Sequence, residues 1–179
     1  MDMAARSEMS HRRVGAAHLR EIVMGSQDNL TNVLAVVLGV AIGSGDASTV
    51  ALAGLAAGIA ESISMGGVLY TATKAERDLA TSKGEVFAKS PVSAAVATSA
   101  AALVAALIPL APFAVLPLGS AVVAAAFLSI LALFGIGSWT GGITGDRWWR
   151  SGVRFVVIGG MAAAAAALVG VVLGTNGVG

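Results

Sequence analysis

Apolar residues fill the chain in long runs, and polar residues gather in the short stretches between them. Each run is rich in Ala, Leu and Val, lacks the alternation of a strand, and is long enough for a helix that crosses a bilayer, about 20 residues. The pattern predicts an all-α membrane protein with five transmembrane helices per protomer. The five segments are residues of about 22–45, 48–73, 91–110, 114–139 and 152–174.

The third and fourth segments are separated by proline rather than by charge. Residues 90–145 contain no charged side chain, which is too long a stretch for one span. Pro109, Pro112 and Pro117 lie near its middle. Since proline lacks a backbone donor and clashes with the preceding helical turn, the sequence predicts a proline turn between two helices.

Composition narrows the class of protein. The chain of 179 residues is 56% apolar and 12% charged, and an ordinary soluble domain carries about twice that charged fraction. Such a chain cannot cover a soluble surface, which excludes a soluble enzyme, a nucleic-acid binder and a disordered regulator. Cysteine is absent, so disulfides and thiolate metal sites are excluded. No nucleotide fingerprint or catalytic triad supports an enzyme.

The basic residues predict an orientation. All 11 Lys and Arg residues fall before residue 22, within residues 74–89, or within residues 147–154. Five spans put these three segments on one side, so the positive-inside rule predicts a cytoplasmic N-terminus and an external C-terminus. Residues 1–21 are expected to form a cytoplasmic segment without a signal peptide, with an amphipathic helix over residues 7–24 on the inner surface.

Two carboxylates lie inside predicted spans. Glu61 is near the middle of the second span, and Asp28 is about two turns into the first. Acids at such depths cost several kcal/mol and are functional hypotheses by default. A protonated Glu61 hydrogen-bonded between helices, or an Asp28 that interacts with the helix dipole, is the structural alternative.

Residue spacing adds candidate ligands to these acids. Met65 follows Glu61 by four residues and shares its face. Glu21, Asp28 and Asn32 are spaced by seven and four residues and form one stripe. Hard carboxylate oxygens together with a soft thioether suit a divalent transition metal better than Ca²⁺ or Mg²⁺. A methionine in a membrane helix is otherwise a packing residue.

Other polar and small residues carry weaker signals. His11 and His18 in the N-terminal segment could recruit metal, although solvated histidines are the commoner case. Three GxxxG pairs predict close helix packing. The pairs are Gly39/Gly43, Gly54/Gly58 and Gly170/Gly174.

At these residues the chain resembles the vacuolar iron transporter family over most of its length. REIVMG leading to Asp28 is similar to the start of the family's first helix, and AGLA followed by SISMG is similar to its second. ALIPL matches the end of its third helix, and GDRWWRSG resembles the loop that enters its fifth. These motifs occupy residues 20–28, 53–66, 106–110 and 145–152.

The resemblance implies a five-helix protomer, a homodimer and a pathway along the dimer axis. It implies export of Fe²⁺, and of Mn²⁺ or related ions, from the cytosol in exchange for protons. Asp28 and Met65 match the family's intramembrane Asp and Met, and Glu21 matches a recurrent acid at the start of the first helix. Metal is expected as the transported substrate, with no permanently bound cofactor.

Three departures from the family pattern stand out. Plant members have a glutamate eight residues before the helix-two Met, where this chain has Ala57, and Glu61 is our inferred replacement. The usual Gly after the helix-one Asp is Asn29. Plant-type members also carry an acidic metal-binding domain between helices two and three, where this chain has only residues 74–89.

The sequence therefore predicts a dimeric, proton-coupled exporter of divalent metal. Asp28, Glu61 and Met65 are the expected ligands, with Asn32 beside them and Glu21 at the cytoplasmic entrance. A passive cation channel, a non-transporting membrane subunit and a small exporter of organic cations are the alternatives. A composition rich in Ala, Gly and Val favours a bacterial plasma membrane, and a eukaryotic source would imply a vacuolar membrane.

Overall fold

The computed structural model describes residues 3–175, with side chains for residues 19–174. This part of the chain is entirely helical apart from short connections. Its five helices are α1 (Met3–Ser44), α2 (Ala47–Ser82), α3 (Pro91–Val115), α4 (Leu118–Thr144) and α5 (Trp148–Thr175). The helices α2 to α5 are each long and apolar enough to cross a membrane. The chain is thus an all-α membrane protein.

Helix α1 is the exception among the five and is not one of these candidate spans. Its middle contains Gln27, Asp28, Asn29 and Asn32, which lower the mean hydropathy of the segment. The predicted N-terminal segment and the predicted first span are one continuous helix. The amphipathic helix was expected to turn Arg12, Arg13 and Arg20 toward anionic lipid, and Arg20 is exposed. The other two arginines, His11 and His18 lie outside the residues whose side chains are described.

The turn between α3 and α4 lies later than the sequence analysis predicted. Pro112 was expected in the turn between spans of about 91–110 and 114–139, but it lies inside α3, as Pro109 does, and this helix continues to Val115. The chain turns at Leu116 and Pro117 instead. Both internal prolines are buried against the bundle. Membrane helices tolerate such prolines because neighbouring helices and local adjustments compensate the lost backbone hydrogen bonds.

Local capping explains where α2 begins. Asp46 has an extended backbone, and its carboxylate accepts hydrogen bonds from the Thr49 amide at 2.8 Å and from the Ser48 and Thr49 hydroxyls at 2.6 Å. This side chain satisfies an amide that the first turn of the helix leaves open. The hydrogen bonds from Ser48, and then those from Thr49, lower the pKa of Asp46 to about 2.

The helices α2 to α5 pack in chain order, each against the next, and α1 packs against all four. In the described residues α2 and α5 do not pack closely on each other, so one side of α1 remains uncovered between them. The buried side of α1 supplies Leu30, Val33 and Val37 to two apolar clusters shared with α3, α4 and the neighbouring helices.

Glycines bring α1 and α5 into backbone contact. A Cβ at Gly170 would overlap the carbonyl oxygen of Gly39, and a Cβ at Gly174 would lie 2.9 Å from the Cα of Gly43. The two GxxxG pairs therefore face each other within one protomer, as close helix packing requires. The outer faces of the bundle expose large apolar side chains such as Leu52, which a bilayer would cover.

Candidate functional site

A cavity of about 390 Å³ opens along the uncovered side of α1, between α2 and α5. It contains two of the residues that the sequence analysis selected, Asp28 and Met65, from two different helices. No basic side chain lines it, so a cation in the cavity would meet one carboxylate and no opposing charge. The lining residues are Met24, Gln27, Asp28, Thr31, Met65 and Ile158.

Glu61 brings the second carboxyl group to Asp28. Its side chain on α2 lies next to the side chains of Asp28 and Asn32 on α1. A hydrogen bond between two carboxyl groups requires a proton on one of them, because an ionised carboxylate only accepts. The pair can therefore hold a proton, and a cation could take the place of that proton.

These polar groups lie at the surface of the single chain. Asp28 and Asn32 are exposed, whereas Glu61 and Met65 are partly buried. Polar side chains at membrane depth normally face a bundle interior or a water-filled cavity. This face of α1 therefore needs a cover other than lipid.

Glu21 lies apart from this cluster. Its side chain is fully buried and forms an ion pair with Lys89, which belongs to the connection between α2 and α3. The sequence analysis placed Glu21, Asp28 and Asn32 on one stripe of α1, with Glu21 at the cytoplasmic entrance. The connection between α2 and α3 pairs with the stripe at Glu21. A metal-binding role for Glu21 stays a prediction, and it would require Lys89 to leave.

Asn29 is a structural residue that the sequence analysis noted only as a departure from the family pattern. It is fully buried, and its amide nitrogen donates to Ser62 Oγ at 3.0 Å and to the carbonyl oxygens of Gly58 at 3.1 Å and Ala102 at 2.8 Å. These contacts tie α1 to α2 and α3 directly beside Asp28. An amide in the middle of a predicted span was the available signal.

The polar residues of the cavity were also only partly anticipated. Gln27 and Thr31 line it but were not selected from the sequence. Within the side chains described, no group of three or more His, Cys, Asp or Glu residues could hold a metal ion. One protomer offers two carboxyl groups, the Asn32 amide and the Met65 thioether.

The comparison with protein families identifies the chain. The sequence model of the VIT family, the vacuolar iron transporters, matches residues 19–87 and 80–171, so the chain belongs to this family. The two matches overlap at residues 80–87, at the end of α2 and in the connection that follows, where the resemblance implied that the extra domain of plant-type members is lacking. The comparison with curated proteins gave no match.

Proposed function

We propose that this member of the vacuolar iron transporter family exports divalent transition metal, Fe²⁺ and related ions such as Mn²⁺, in exchange for protons. The observation that carries the proposal is the meeting of Asp28 and Glu61, from two helices, beside a cavity that also contains Met65. Two carboxyl groups that share a proton can release it when a cation binds between them. The thioether favours transition metals over Ca²⁺ and Mg²⁺.

Transport through this site requires a second copy of the chain. Asp28 and Asn32 are exposed between α2 and α5, and a partner protomer applied to this face would remove them from lipid. A twofold axis along α1 would also double the donors to four carboxyl groups and two thioethers. The proposed protomer has its N-terminus in the cytoplasm, because every basic residue then lies on the inner side. A bacterial plasma membrane is the proposed location.

The exchange has a simple charge balance. A divalent cation that binds between the Asp28–Glu61 pairs of two protomers displaces one shared proton from each pair, two protons for two positive charges, and reprotonation from the other side of the membrane releases the cation. Because charge rather than shape is the requirement, an amide at either position should bind no metal. Asn32 lies next to Glu61, and its amide can donate a hydrogen bond to the ionised carboxylate during this cycle.

Proteoliposomes that contain a pH dye would test the proposal. Purified protein is reconstituted, Fe²⁺ or Mn²⁺ is added, and metal uptake and internal pH are followed together. We expect metal entry coupled to opposite proton movement in the wild type and its loss in Asp28→Asn and Glu61→Gln. Asp146→Asn, which changes an exposed acid outside the cavity, is the control and should transport normally.

Other outcomes would identify the alternatives. Metal flux without proton movement would indicate a passive channel and refute the exchange. A folded wild-type protein that transports no metal, together with an Asp28→Asn variant that is folded and equally stable, would indicate a non-transporting subunit. Transport of organic cations in place of metal would refute the assignment of the substrate.

A further inference from the structure

An apolar groove of about 780 Å³ lies between α2 and α3 on the outer surface of the bundle. Its lining includes the small residues Gly66, Gly67 and Ala100 and the large, exposed side chains of Ile63 and Val96. Small residues between larger ones leave a space that no atom of the described chain fills. A bilayer has to supply the contacts that this space lacks, because packing is what drives association between apolar groups in lipid.

The groove is separate from the candidate metal site. Ile59 and Ile63 line the groove, whereas Glu61, which lies between them in the sequence, contacts Asp28 on α1. With about 3.6 residues per turn, residues two positions apart project to nearly opposite sides of a helix. The groove and the metal site therefore occupy opposite sides of α2, and a partner protomer that covers α1 would leave the groove in contact with lipid.

The groove extends through one half of the membrane. Its lining runs from Ile59 to Thr71 on α2 and from Leu103 to Val92 on α3. At about 1.5 Å per residue, these segments are about 17–18 Å long, and half of the hydrocarbon core is about 15 Å thick. One end lies beside Glu61, near the middle of the second span. The groove thus has the length of one acyl chain in a single leaflet.

The other end of the groove is polar and basic. Tyr70 and Thr71 line it there, and tyrosine is typical of the membrane–water interface. Lys74 and Arg77 follow Tyr70 by four and seven residues, so they continue the same face of α2 beyond the groove. Both are exposed, and neither side chain forms an ion pair within the described residues. With Asp78 beside Arg77, this end still carries a net positive charge.

We propose that the groove between α2 and α3 binds an anionic phospholipid, with one acyl chain between the helices and the phosphate at Lys74 and Arg77. The length and apolar lining of the groove fit the chain, and the two basic side chains at its end complement the headgroup. The proposed orientation puts this end on the cytoplasmic side, where membranes present anionic headgroups. The site does not depend on metal transport.

Gly67→Leu tests the position of the acyl chain. A Cβ at Gly67 would meet no atom within 4 Å, so a leucine there can extend into the groove without displacing α3. Gly135→Leu on α4 is the matched control, because Gly135 is also exposed with open space at its Cβ but does not line the groove. If Gly67→Leu does not fold, Ala100→Leu fills the groove from α3.

A double substitution, Lys74→Gln/Arg77→Gln, tests the position of the headgroup. It removes two positive charges at the end of the groove and leaves the apolar lining unchanged. Lys83→Gln/Arg147→Gln is the matched control. It removes the same charge from two exposed positions in the connections that follow α2 and α4, on the same side of the predicted topology but away from the groove.

The experiment titrates the purified full chain, freed of lipid in detergent, with phosphatidylglycerol or phosphatidylcholine that carry identical acyl chains. Native mass spectrometry measures the affinity of each lipid, and the melting temperature is recorded as well, because a ligand of the folded state raises it. We expect the wild type to bind phosphatidylglycerol more tightly than phosphatidylcholine.

The variants should affect the two lipids differently. Lys74→Gln/Arg77→Gln should weaken the binding of phosphatidylglycerol about 25-fold, about fivefold for each charge, and leave that of phosphatidylcholine unchanged. Gly67→Leu should weaken the binding of both lipids about threefold, because several packing contacts with the chain are lost. Both control variants should bind like the wild type.

Several results would overturn the inference. Equal affinity of the wild type for the two lipids would remove the role of the headgroup. Wild-type affinity for phosphatidylglycerol in Lys74→Gln/Arg77→Gln, or an equal loss in Lys83→Gln/Arg147→Gln, would show that these two positions are not the binding site. Unchanged binding in both Gly67→Leu and Ala100→Leu, or an equal loss in Gly135→Leu, would place the lipid outside the groove.

Discussion

Asn29 offers a quantitative test of how α1 is held in the bundle. The structure gives its amide nitrogen three oxygen acceptors, from Gly58, Ser62 and Ala102. Two substitutions of Asn29 test these contacts. Asn29→Ala removes the donor, and Asn29→Asp replaces it with an oxygen of nearly the same size in the same position.

The magnitude for Asn29→Ala follows from the number of hydrogens. An amide has two, which three acceptors must share, and an interhelical hydrogen bond in a membrane protein contributes about 0.6 kcal/mol on average and at most about 1.7. The loss of two such hydrogen bonds therefore lowers the free energy of unfolding by about 1–3 kcal/mol. The cavity left by the side chain adds a penalty of about 1 kcal/mol. The substitution also removes the buried Oδ1 atom, which has no hydrogen-bond partner in the described residues, and this gain offsets about the same free energy as the cavity costs.

Asn29→Asp should cost more than Asn29→Ala. Its ionised carboxylate would face two carbonyl oxygens and a hydroxyl in a fully buried position, with a penalty of several kcal/mol unless it takes up a proton. We expect at least about 3 kcal/mol at neutral pH and a partial recovery under acidic conditions, where the protonated group can donate one bond. The variant should thus be the less stable of the two at neutral pH.

Equilibrium unfolding in mixed micelles, followed by tryptophan fluorescence, would measure both free energies. Ser120→Ala is the control, because this polar side chain on α4 is exposed and bonds only within its own turn, so its substitution should change the unfolding free energy little. Equal stability of Asn29→Asp and Asn29→Ala at neutral pH would mean that the amide nitrogen does not face the three oxygens.

Two further predictions concern helix contact and helix capping. Gly170→Ala places a methyl group against a backbone carbonyl of α1 and should destabilise the fold by about 1–3 kcal/mol. Gly160→Ala on the same helix adds its methyl group in open space and should leave the melting temperature unchanged or raise it. Equal changes in the melting temperatures of the two variants would contradict the α1–α5 packing. The pKa of Asp46 is about 2 in the folded chain, below its ordinary value of 3.8. The stabilisation that the ionised Asp46 gives to the folded chain is therefore complete above about pH 4 and is lost as the pH falls toward 2. Asp46→Asn should flatten that part of the pH–stability curve, and an unchanged curve would contradict the capping role.

Much of the architecture could be predicted from the sequence because it depends on local properties. Long apolar runs form membrane helices wherever they occur, since a backbone in lipid must satisfy its own hydrogen bonds. The family motifs are local as well, and the family match confirms the resemblance drawn from them. The carboxylates at Asp28 and Glu61 were selected for the same reason, because a charged group inside an apolar run is visible without knowing its neighbours.

The position of the turn between α3 and α4 could not be read from the prolines. Pro109 and Pro112 have the residue type that ends helices, but tertiary packing keeps both inside α3. The cost of a missing backbone donor depends on what surrounds it, and the surroundings come from other helices. Only Pro117 marks the turn.

The side chains of the candidate site are brought together by contacts between helices that are distant in the sequence. Helical spacing puts Glu61 and Met65 on one face, but which helix that face meets depends on how five helices pack. It takes the tertiary structure to bring Glu61 to Asp28 and to pair Glu21 with Lys89. The helices and the acids within them can be read from neighbouring residues, because the length and hydropathy of an apolar run are local properties. Partners across helices follow from the packing of the whole bundle.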